Sequence, residues 1–348
     1  MRELEFWSPV LRSEELGARP REVELCGRRL VVFRTAAGIG ALDNACPHRG
    51  APLSHGRVEG DAVVCPYHGW RWDRDGRGTT PGTRGPDGGP AAVKVCARRY
   101  EAVERLGAIW LKEAASSEPF PTWELGGHTE FTRLRRLVDA PLELVLDNFI
   151  EVEHTPSVHA FLGYAQEHLA DVEVETETTP DAVRVRNVGP PRRLPWALRR
   201  LFRIPQGALF VDEWTTTFRP VCTVYDQYFI DPRTRTRVTE LLRTALFFTP
   251  VRERTTQLFA LGYTDAPLWQ GLNPLKILLT GALVRLEVGL DARLLARMRD
   301  VDPSLAGRPM GRFDKAVLAA RRRLDAVYRG RAQLEPAGRE RRLGEAAD

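Results

Sequence analysis

Two short segments constrain this chain more than any other feature: Cys46-Pro47-His48-Arg49-Gly50 and Cys65-Pro66-Tyr67-His68-Gly69-Trp70. The first is Cys-x-His, the second Cys-x-x-His, and 16 residues lie between His48 and Cys65. Any fold must bring these two loops together if the four side chains are to act as one ligand set. Two thiolates and two imidazoles can close a zinc tetrahedron. They are also the ligands of a 2Fe–2S cluster in which two His replace two Cys on one iron, a change that raises its potential. Zinc spacings usually pair Cys with Cys and His with His, whereas each loop here carries one of each. The iron–sulfur reading is therefore favoured over zinc.

At 348 residues the chain has room for about two domains, each with its own core. Its 43% hydrophobic and 28% charged residues are those of an ordinary globular protein. The net charge of +5 comes largely from Arg199, Arg200, Arg203, Arg321, Arg322, Arg323, Arg339, Arg341 and Arg342. Such clusters are solvated helix faces more often than nucleic-acid sites, so no nucleic-acid partner is expected. Met1–Glu5 has no apolar signal core. The longest apolar run, 275–284, is broken by Lys276, Thr280 and Gly281; it is too short to span a membrane and reads as a buried or amphipathic helix. Beyond Cys46 and Cys65, the three remaining cysteines Cys26, Cys96 and Cys222 are scattered. They are expected to be reduced, which places the protein in the cytoplasm.

Residues 1–118 read as an all-β domain of short strands, with runs at 22–25, 29–34, 62–65, 93–95 and 108–112 between Gly and Pro signals. Residues 82–90 read as an exposed loop, and Ser116-Ser117-Glu118-Pro119 as a linker. A second domain, 119–330, opens with a helix over 140–165 and continues with β-rich stretches at 172–178, 182–188, 207–219, 222–231, 236–249 and 255–264. Helices follow at 273–300 and about 311–329. Residues 331–348 read as a charged, flexible tail. The class is α+β. No NAD or flavin fingerprint is present, and Gly38-Ile39-Gly40 reads only as a turn.

The 140–165 segment holds the second chemical feature. Asn148, Glu151 and His154 are three apart and would share one helix face. His159 would leave that face, but Pro156 should kink the helix and swing it back towards His154. Two His and one distant carboxylate form the facial triad of non-haem Fe(II) oxygenases, which leaves positions open for O₂ and substrate. An isolated His pair beside a Pro would more often be a surface or cap feature; the upstream Cys/His loops reverse that weighting.

The flanks His-Arg-Gly-Ala-Pro-Leu and Tyr-His-Gly-Trp closely resemble Rieske loops. Respiratory-chain Rieske proteins carry an extra Cys in each loop; Ala51 and Tyr67 stand there in this chain, which argues against that class. Taken with Asn148, Glu151, His154 and His159, which fall on an Asn-x-x-Asp-x-x-His-x4-His pattern, the chain resembles the oxygenase (α) component of the Rieske non-haem iron oxygenases. Glu151 departs from that pattern, standing where Asp is usual. The resemblance extends to Phe6-Trp7-Ser8-Pro9-Val10 and to the Tyr100/Gly107/Trp110 pattern.

The resemblance implies a 2Fe–2S cluster on Cys46, His48, Cys65 and His68, and a mononuclear Fe(II) on His154, His159 and a carboxylate from the long C-terminal helix. Asp291 is the choice for that carboxylate, with Glu287, Asp300 and Asp302 as rivals. It implies a C-terminal antiparallel sheet packed against helices in a helix-grip-like arrangement. It also implies a homotrimer in which Glu151 bridges His68 of one subunit and His154 of the next, with Asn148 near the iron but not ligating it. Glu153 or Asp147 would take the role of Glu151 if the register shifts. O₂ is the cosubstrate, and electrons from NAD(P)H arrive through a separate reductase, with or without a ferredoxin between. The short chain and the Cys46–Gly56 loop resemble the single-component monooxygenase and demethylase branch, implying hydroxylation or demethylation of a mid-sized apolar or aromatic small molecule. Candidate pocket walls are Phe149, Phe161, Leu162, Trp214, Phe218, Phe229, Phe247 and Phe259, each of which has core packing as its plainer explanation. The competing readings are an arene cis-dihydroxylating dioxygenase, a Rieske electron carrier with a non-catalytic binding domain, and a zinc-stabilised binding protein.

Overall fold

The computed structural model describes residues 2–123, 129–268 and 270–331. Of the expected tail, all but Arg331 lies outside the described residues. Three antiparallel sheets account for the strands. The first has six strands: β1 (Ser8–Arg12), β2 (Arg21–Leu25), β3 (Arg28–Thr35), β4 (Gly38–Asp43), β10 (Arg99–Arg105) and β11 (Ala108–Glu113), in the order β1-β11-β10-β4-β3-β2. The second, built from the chain between β4 and β10, has five: β5 (Arg57–Glu59), β6 (Ala62–Val64), β7 (Arg71–Asp73), β8 (Gly78–Arg84) and β9 (Pro90–Ala92). Both Cys/His loops belong to this inserted region, one just before β5 and one between β6 and β7.

The third sheet has seven strands in the order β12-β18-β17-β16-β15-β14-β13. These are β12 (Thr129–Val138), β13 (Glu173–Thr178), β14 (Ala182–Gly189), β15 (Leu209–Phe218), β16 (Val221–Ile230), β17 (Leu242–Arg252) and β18 (Thr255–Thr264). Helices α1 (Leu142–Asn148) and α2 (Thr155–Val158) precede β13, α3 (Trp196–Leu201) lies between β14 and β15, and α4 (Asn273–Arg297) and α5 (Asp314–Arg323) follow β18. The architecture is thus an all-β region followed by an antiparallel sheet packed against helices.

Alternation along the strands of the third sheet sends neighbouring residues to opposite faces. Phe210, Trp214, Phe218, Leu246 and Phe248 pack with Val145 of α1, Val288 and Ala292 of α4 and Val317 of α5. Cys222, Phe247, Phe259 and Leu261 turn to the other face and pack on Trp7, just before β1, and on Ala108 and Trp110 of the first sheet. Trp110 meets Phe247 edge-on at 4.9 Å between ring centres. Hydrogen bonds cross the same junction, from Gln257 Nε2 to the Pro9 carbonyl at 2.7 Å and from the Cys26 amide to the Pro250 carbonyl at 2.8 Å. Phe218, Phe247 and Phe259 are therefore core and not pocket wall, because strand phase turns them away from the cavities or seals them beneath the helices.

Several local expectations are corrected. The helix over 140–165 is two short helices, so Asn148, Glu151 and His154 do not share one helix face: α1 stops at Asn148, and Glu151 sits in the following turn. Residues 93–95 are not a strand, since the chain leaves the sheet after Ala92. The exposed loop at 82–90 is the end of the β8–β9 hairpin. Residues 236–241 precede β17 instead of beginning it. Strand β12 was not anticipated; its run of Arg133, Arg135 and Arg136 hides the alternation. Among the described residues, no helix is long and apolar enough to cross a membrane.

Gly281 lets α4 lie close to β12: a Cβ built there would stand 2.4 Å from the Phe131 carbonyl oxygen. In an isolated helix, Gly→Ala would gain about 1 kcal/mol. Here overpacking should outweigh that gain, and Gly281→Ala is expected to destabilise the protein by about 1–3 kcal/mol. Urea unfolding checks this; a raised midpoint would show that the approach is not tight.

Candidate functional site

The two loops of the inserted region are built alike. The Cys46 amide donates to the Ala51 carbonyl at 2.9 Å, and the Cys65 amide donates to the Trp70 carbonyl at 2.7 Å. Within each, a glycine amide returns to the cysteine carbonyl, Gly50 to Cys46 at 2.7 Å and Gly69 to Cys65 at 3.1 Å. Both glycines have positive φ, 74° and 69°, the left-handed conformation that such a closure needs. Cys46 and Cys65 are buried in one apolar cluster with Trp72 and Leu53. The rings of His48 and His68 lie 4.7 Å apart, and Trp70 stacks on His48 at 4.3 Å. The side chains thus sort into a buried thiol pair and an outer imidazole pair, as a cluster with two Cys on one iron and two His on the other requires. His48 Nδ1 is buried without a hydrogen-bond partner, an orphan that a metal bond would satisfy. Desolvation, then the His68 and Arg49 charges, lower the His48 pKa and favour the neutral imidazole.

A second cluster forms where α2 meets α4. Glu151 accepts the backbone amides of Glu153 and His154, the latter at 3.2 Å, so its carboxylate organises the turn leading into α2. Pro156 lies in the first turn of α2, where its missing N–H costs nothing, so it starts this helix and does not kink a longer one. The helix ends after Val158, and His159 turns extended, with φ −81° and ψ 149°. That reversal brings the two rings to 4.9 Å, nearly perpendicular. Arg192 fixes the turn by donating to the carbonyls of His159 and Pro156, the latter at 2.8 Å.

Asp291 comes from α4 and is almost fully buried. Its Oδ1 lies 3.1 Å from His159 Nε2 and 3.5 Å from His154 Nε2. His154, His159 and Asp291 offer three ligand atoms all within 4.8 Å of one another. Separations of about 3 Å suit ligands around an ion with bonds near 2.1 Å. His154 Nε2 is buried with no hydrogen bond, again an orphan aimed at the common centre. The ring's other nitrogen, Nδ1, is held by Glu151 Oε1. A carboxylate on the far nitrogen fixes the tautomer and orientation of a ligating imidazole. Burial lowers the His154 pKa, but the Glu151 hydrogen bond and the charges of Glu151 and Asp291 outweigh it, and the net shift is upward.

The rival carboxylates have other work. Glu287, one turn before Asp291, accepts the amides of Ala160, Phe161 and Leu162 at 3.1, 2.8 and 3.3 Å. Asp300 is exposed and paired with Arg254, and Asp302 accepts the Ser304 amide. Asp147 is held by Arg321 at 2.6 Å, away from Glu151. Asn148 is buried at the end of α1 with Nδ2 unpartnered.

An inner cavity, about 670 Å³ including its mouth, is lined by His154, His159 and Asp291 together with Asn148, Phe149, Leu162 and Trp214. A second, more apolar cavity of about 1020 Å³ with its mouth adjoins it, outer in the sense that it lies away from the ligand cluster, walled by residues such as Phe161, Phe229, Leu198 and Phe202. Leu162, Gln227 and Val284 line both. Asp212 of β15 also lines the inner cavity and was missed in the sequence. Its signal was a carboxylate in strand phase with Phe210 and Trp214. Burial pushes its pKa up to about 6.

Residues 6–88 match the Rieske [2Fe-2S] domain family. Residues 138–329, more than half the chain, match the vanillate O-demethylase oxygenase C-terminal domain family. The chain belongs to the Rieske oxygenases. Its relatives include the vanillate O-demethylase oxygenase subunit of Pseudomonas sp., 31% identical over 45% of this chain and 48% of that protein. The 4beta-methylsterol monooxygenase of Methylococcus capsulatus is 33% identical over 39% of this chain and 40% of the relative. A 3-chlorobenzoate-3,4-dioxygenase oxygenase subunit of Comamonas testosteroni matches at 40% identity over 31% of this chain and 25% of its own length. The matched regions thus span a quarter to about half of these relatives. The fold is shared with dicamba monooxygenase bound to 3,6-dichlorosalicylic acid, at TM-score 0.74 and 19% identity over 95% of this chain and 99% of that one. Pseudomonas putida CBB5 NdmA with caffeine gives TM-score 0.71 and 21% identity over 94% and 92%. Membership of this family implies a Rieske cluster and a mononuclear iron, and both donor sets fit.

Glu287 holds the backbone that follows His159, so Glu287→Leu should weaken Fe(II) binding about 10–100-fold while the cluster's visible absorbance stays unchanged. An unaltered Fe(II) titration would remove Glu287 from the site's support. Ligation needs neutral imidazole, and protons compete for it. Because the His154 pKa is raised, Fe(II) affinity should fall as pH drops through that raised value. Glu151→Gln removes the charge that raises it and should move the fall to lower pH.

Proposed function

We propose that this chain is the oxygenase component of a Rieske monooxygenase that hydroxylates, or O- or N-demethylates, a mid-sized, largely apolar or aromatic molecule. The observation that carries the reading is the convergence of His154, His159 and Asp291 in a cavity that adjoins a larger apolar one, in a chain that also presents a paired-thiol, paired-imidazole loop site. In this reading residues 1–118 form the cluster domain and 119–330 the catalytic domain. Cys46 and Cys65 hold one iron of the 2Fe–2S group, and His48 and His68 hold the other. His154, His159 and Asp291 hold Fe(II). When bound, the mononuclear iron supplies open positions where O₂ is activated beside the substrate, using electrons delivered through the cluster.

The chain's own residues do the rest. Glu151 holds His154 by Nδ1, leaving Nε2 for the metal. Arg192 and Glu287 fix the backbone on either side of His159. The apolar outer wall strips water from an incoming substrate. For demethylation the balance is R–OCH₃ + O₂ + 2e⁻ + 2H⁺ → R–OH + HCHO + H₂O, so two electrons must enter per turnover. They come from NAD(P)H through a separate reductase, directly or through a ferredoxin, in the cytoplasm. His68 and Tyr67 are exposed, Tyr67 by 62%, which supports docking at this edge. The assembly is a homotrimer in which Glu151 also reaches His68 of a neighbouring subunit. The names of the relatives, an O-demethylase and a methylsterol monooxygenase among them, support the choice of monooxygenation.

Metal analysis of anaerobically purified protein tests the reading. About three irons and two acid-labile sulfides per chain are expected, falling to two irons in His154→Ala/His159→Ala. Two irons in both, after Fe(II) reconstitution, would sink the catalytic assignment in favour of an electron carrier. Formaldehyde release with a surrogate reductase and a panel of methoxy- and methylamino-arenes then separates demethylation from ring dihydroxylation.

A further inference from the structure

Among the sheet residues that line the cavity at the ligand cluster, Asp212 is the one carboxylate; it stands in one row of the seven-stranded sheet. In that row Asn187, Asp212 and Gln227 are cross-strand neighbours on β14, β15 and β16. The flanking rows carry Phe210 opposite Phe229 and Trp214 opposite Tyr225. Asp212 is 6% exposed. Its Oδ1 accepts one hydrogen bond, from Gln227 Nε2 at 3.1 Å, while Asn187 donates to the Asp212 backbone carbonyl and not to the carboxylate.

Other carboxylates set into the interior, half-buried or buried, among the described residues are matched. Asp147 has Arg321 at 2.6 Å, Glu143 has Arg329, and Glu287 has three backbone amides. Among the described residues, no arginine or lysine pairs with Asp212. The charges nearest in effect are those of His159 and His154, but the one hydrogen bond comes from a neutral amide, and a buried carboxylate so sparsely bonded is costly unless something completes it. Asp212 lines the inner cavity with His154, His159 and Asp291, and Gln227 lines both cavities. The pair therefore stands where the apolar outer space opens onto the cluster. Among the described residues Asp212 makes no hydrogen bond to His154, His159 or Asp291 and lies outside their three-residue group, so its free oxygen is available to an occupant of the cavity.

We propose that Asp212, held by Gln227, recognises a protonated amine on the substrate. The apolar body of the molecule fills the outer cavity, its ammonium or protonated ring nitrogen donates to Asp212, and that anchor selects which carbon faces His154, His159 and Asp291. The substrate class is then an amphiphilic amine with an aromatic or aliphatic body. A carboxylate at the same position meets Asp212 and Asp291 and is rejected. The proposal rests on the oxygenase reading for the use of the cavity, and it makes Asp212 a specificity-determining residue.

Calorimetry on the iron-loaded protein with three probes of one indole body tests it: tryptamine, tryptophol and indole-3-propionate. Wild type should bind tryptamine about tenfold or more tightly than tryptophol, as a charge-assisted hydrogen bond implies, and the acid least. Asp212→Asn, nearly isosteric, should bring the amine and the alcohol within about twofold. Gln227→Leu should weaken the amine while keeping its preference. Equal affinities in wild type, a preference surviving Asp212→Asn, or no amine binding to fully loaded protein would overturn the proposal. Iron analysis of the same samples separates the two readings. Amine selection through Asp212 in protein with only two irons keeps this site and removes the oxygenase reading; three irons without amine selection does the reverse.

Discussion

The centre of this molecule depends on how α4 lies across the sheet. Gly281 brings it against β12, and two turns further along the helix presents Glu287 and then Asp291, four residues apart on one side. Each carboxylate has a different partner. Glu287 gathers the amides that follow His159, and Asp291 meets both imidazoles. A single rigid helix thereby sets the position of a carboxylate of the candidate metal site and the backbone path of a histidine loop nearly 130 residues earlier. A change in the helix's height over the sheet would move both at once.

The opposite end of the site is built with less rigid means. Between α1 and α2 the chain has no helix or strand, and the order of this stretch and of the short helix after it comes from side chains reaching to the main chain: Glu151 to two amides, Thr155 to the Val152 carbonyl, Arg192 to two carbonyls. Such turns cost little to place when every polar group has a partner. The loops at Cys46 and Cys65 follow the same rule, each closed by an amide pair and a left-handed glycine.

Much of this was legible in the sequence, and the residues show why. The Cys/His loops carry their chemistry in contiguous motifs, so their meaning does not depend on where the strands lie. The β-rich stretches after residue 172 were readable because Val, Thr and Phe dominate them. Strand β12 was not, since three arginines mask its alternation. The helix over 140–165 was overextended because its apolar spacing ignores what Glu151 does to the amides after it; a side chain that captures backbone donors ends helices without a Gly or Pro to announce it. Glu287 and Asp291 could be named but not told apart, because their difference lies in a loop far away in sequence. Asp212 was missed because its phase within β15 becomes informative only when the adjoining face is known to be a cavity.

The two faces of the seven-stranded sheet have a consequence for how this chain can change over generations. Phe247 and Phe248 are consecutive, yet one anchors the junction with Trp110 and the other packs beneath the helices. Strand β17 is thus answerable to two interiors at once, and few substitutions there satisfy both. The lip of the outer cavity is under no such double constraint: Leu194, Leu198, Phe202 and Ile204 come from the segment around the short helix α3, and Trp196 at its start is largely exposed. Drift in substrate range should therefore collect in that lip, leaving the sheet as a slowly varying frame behind it.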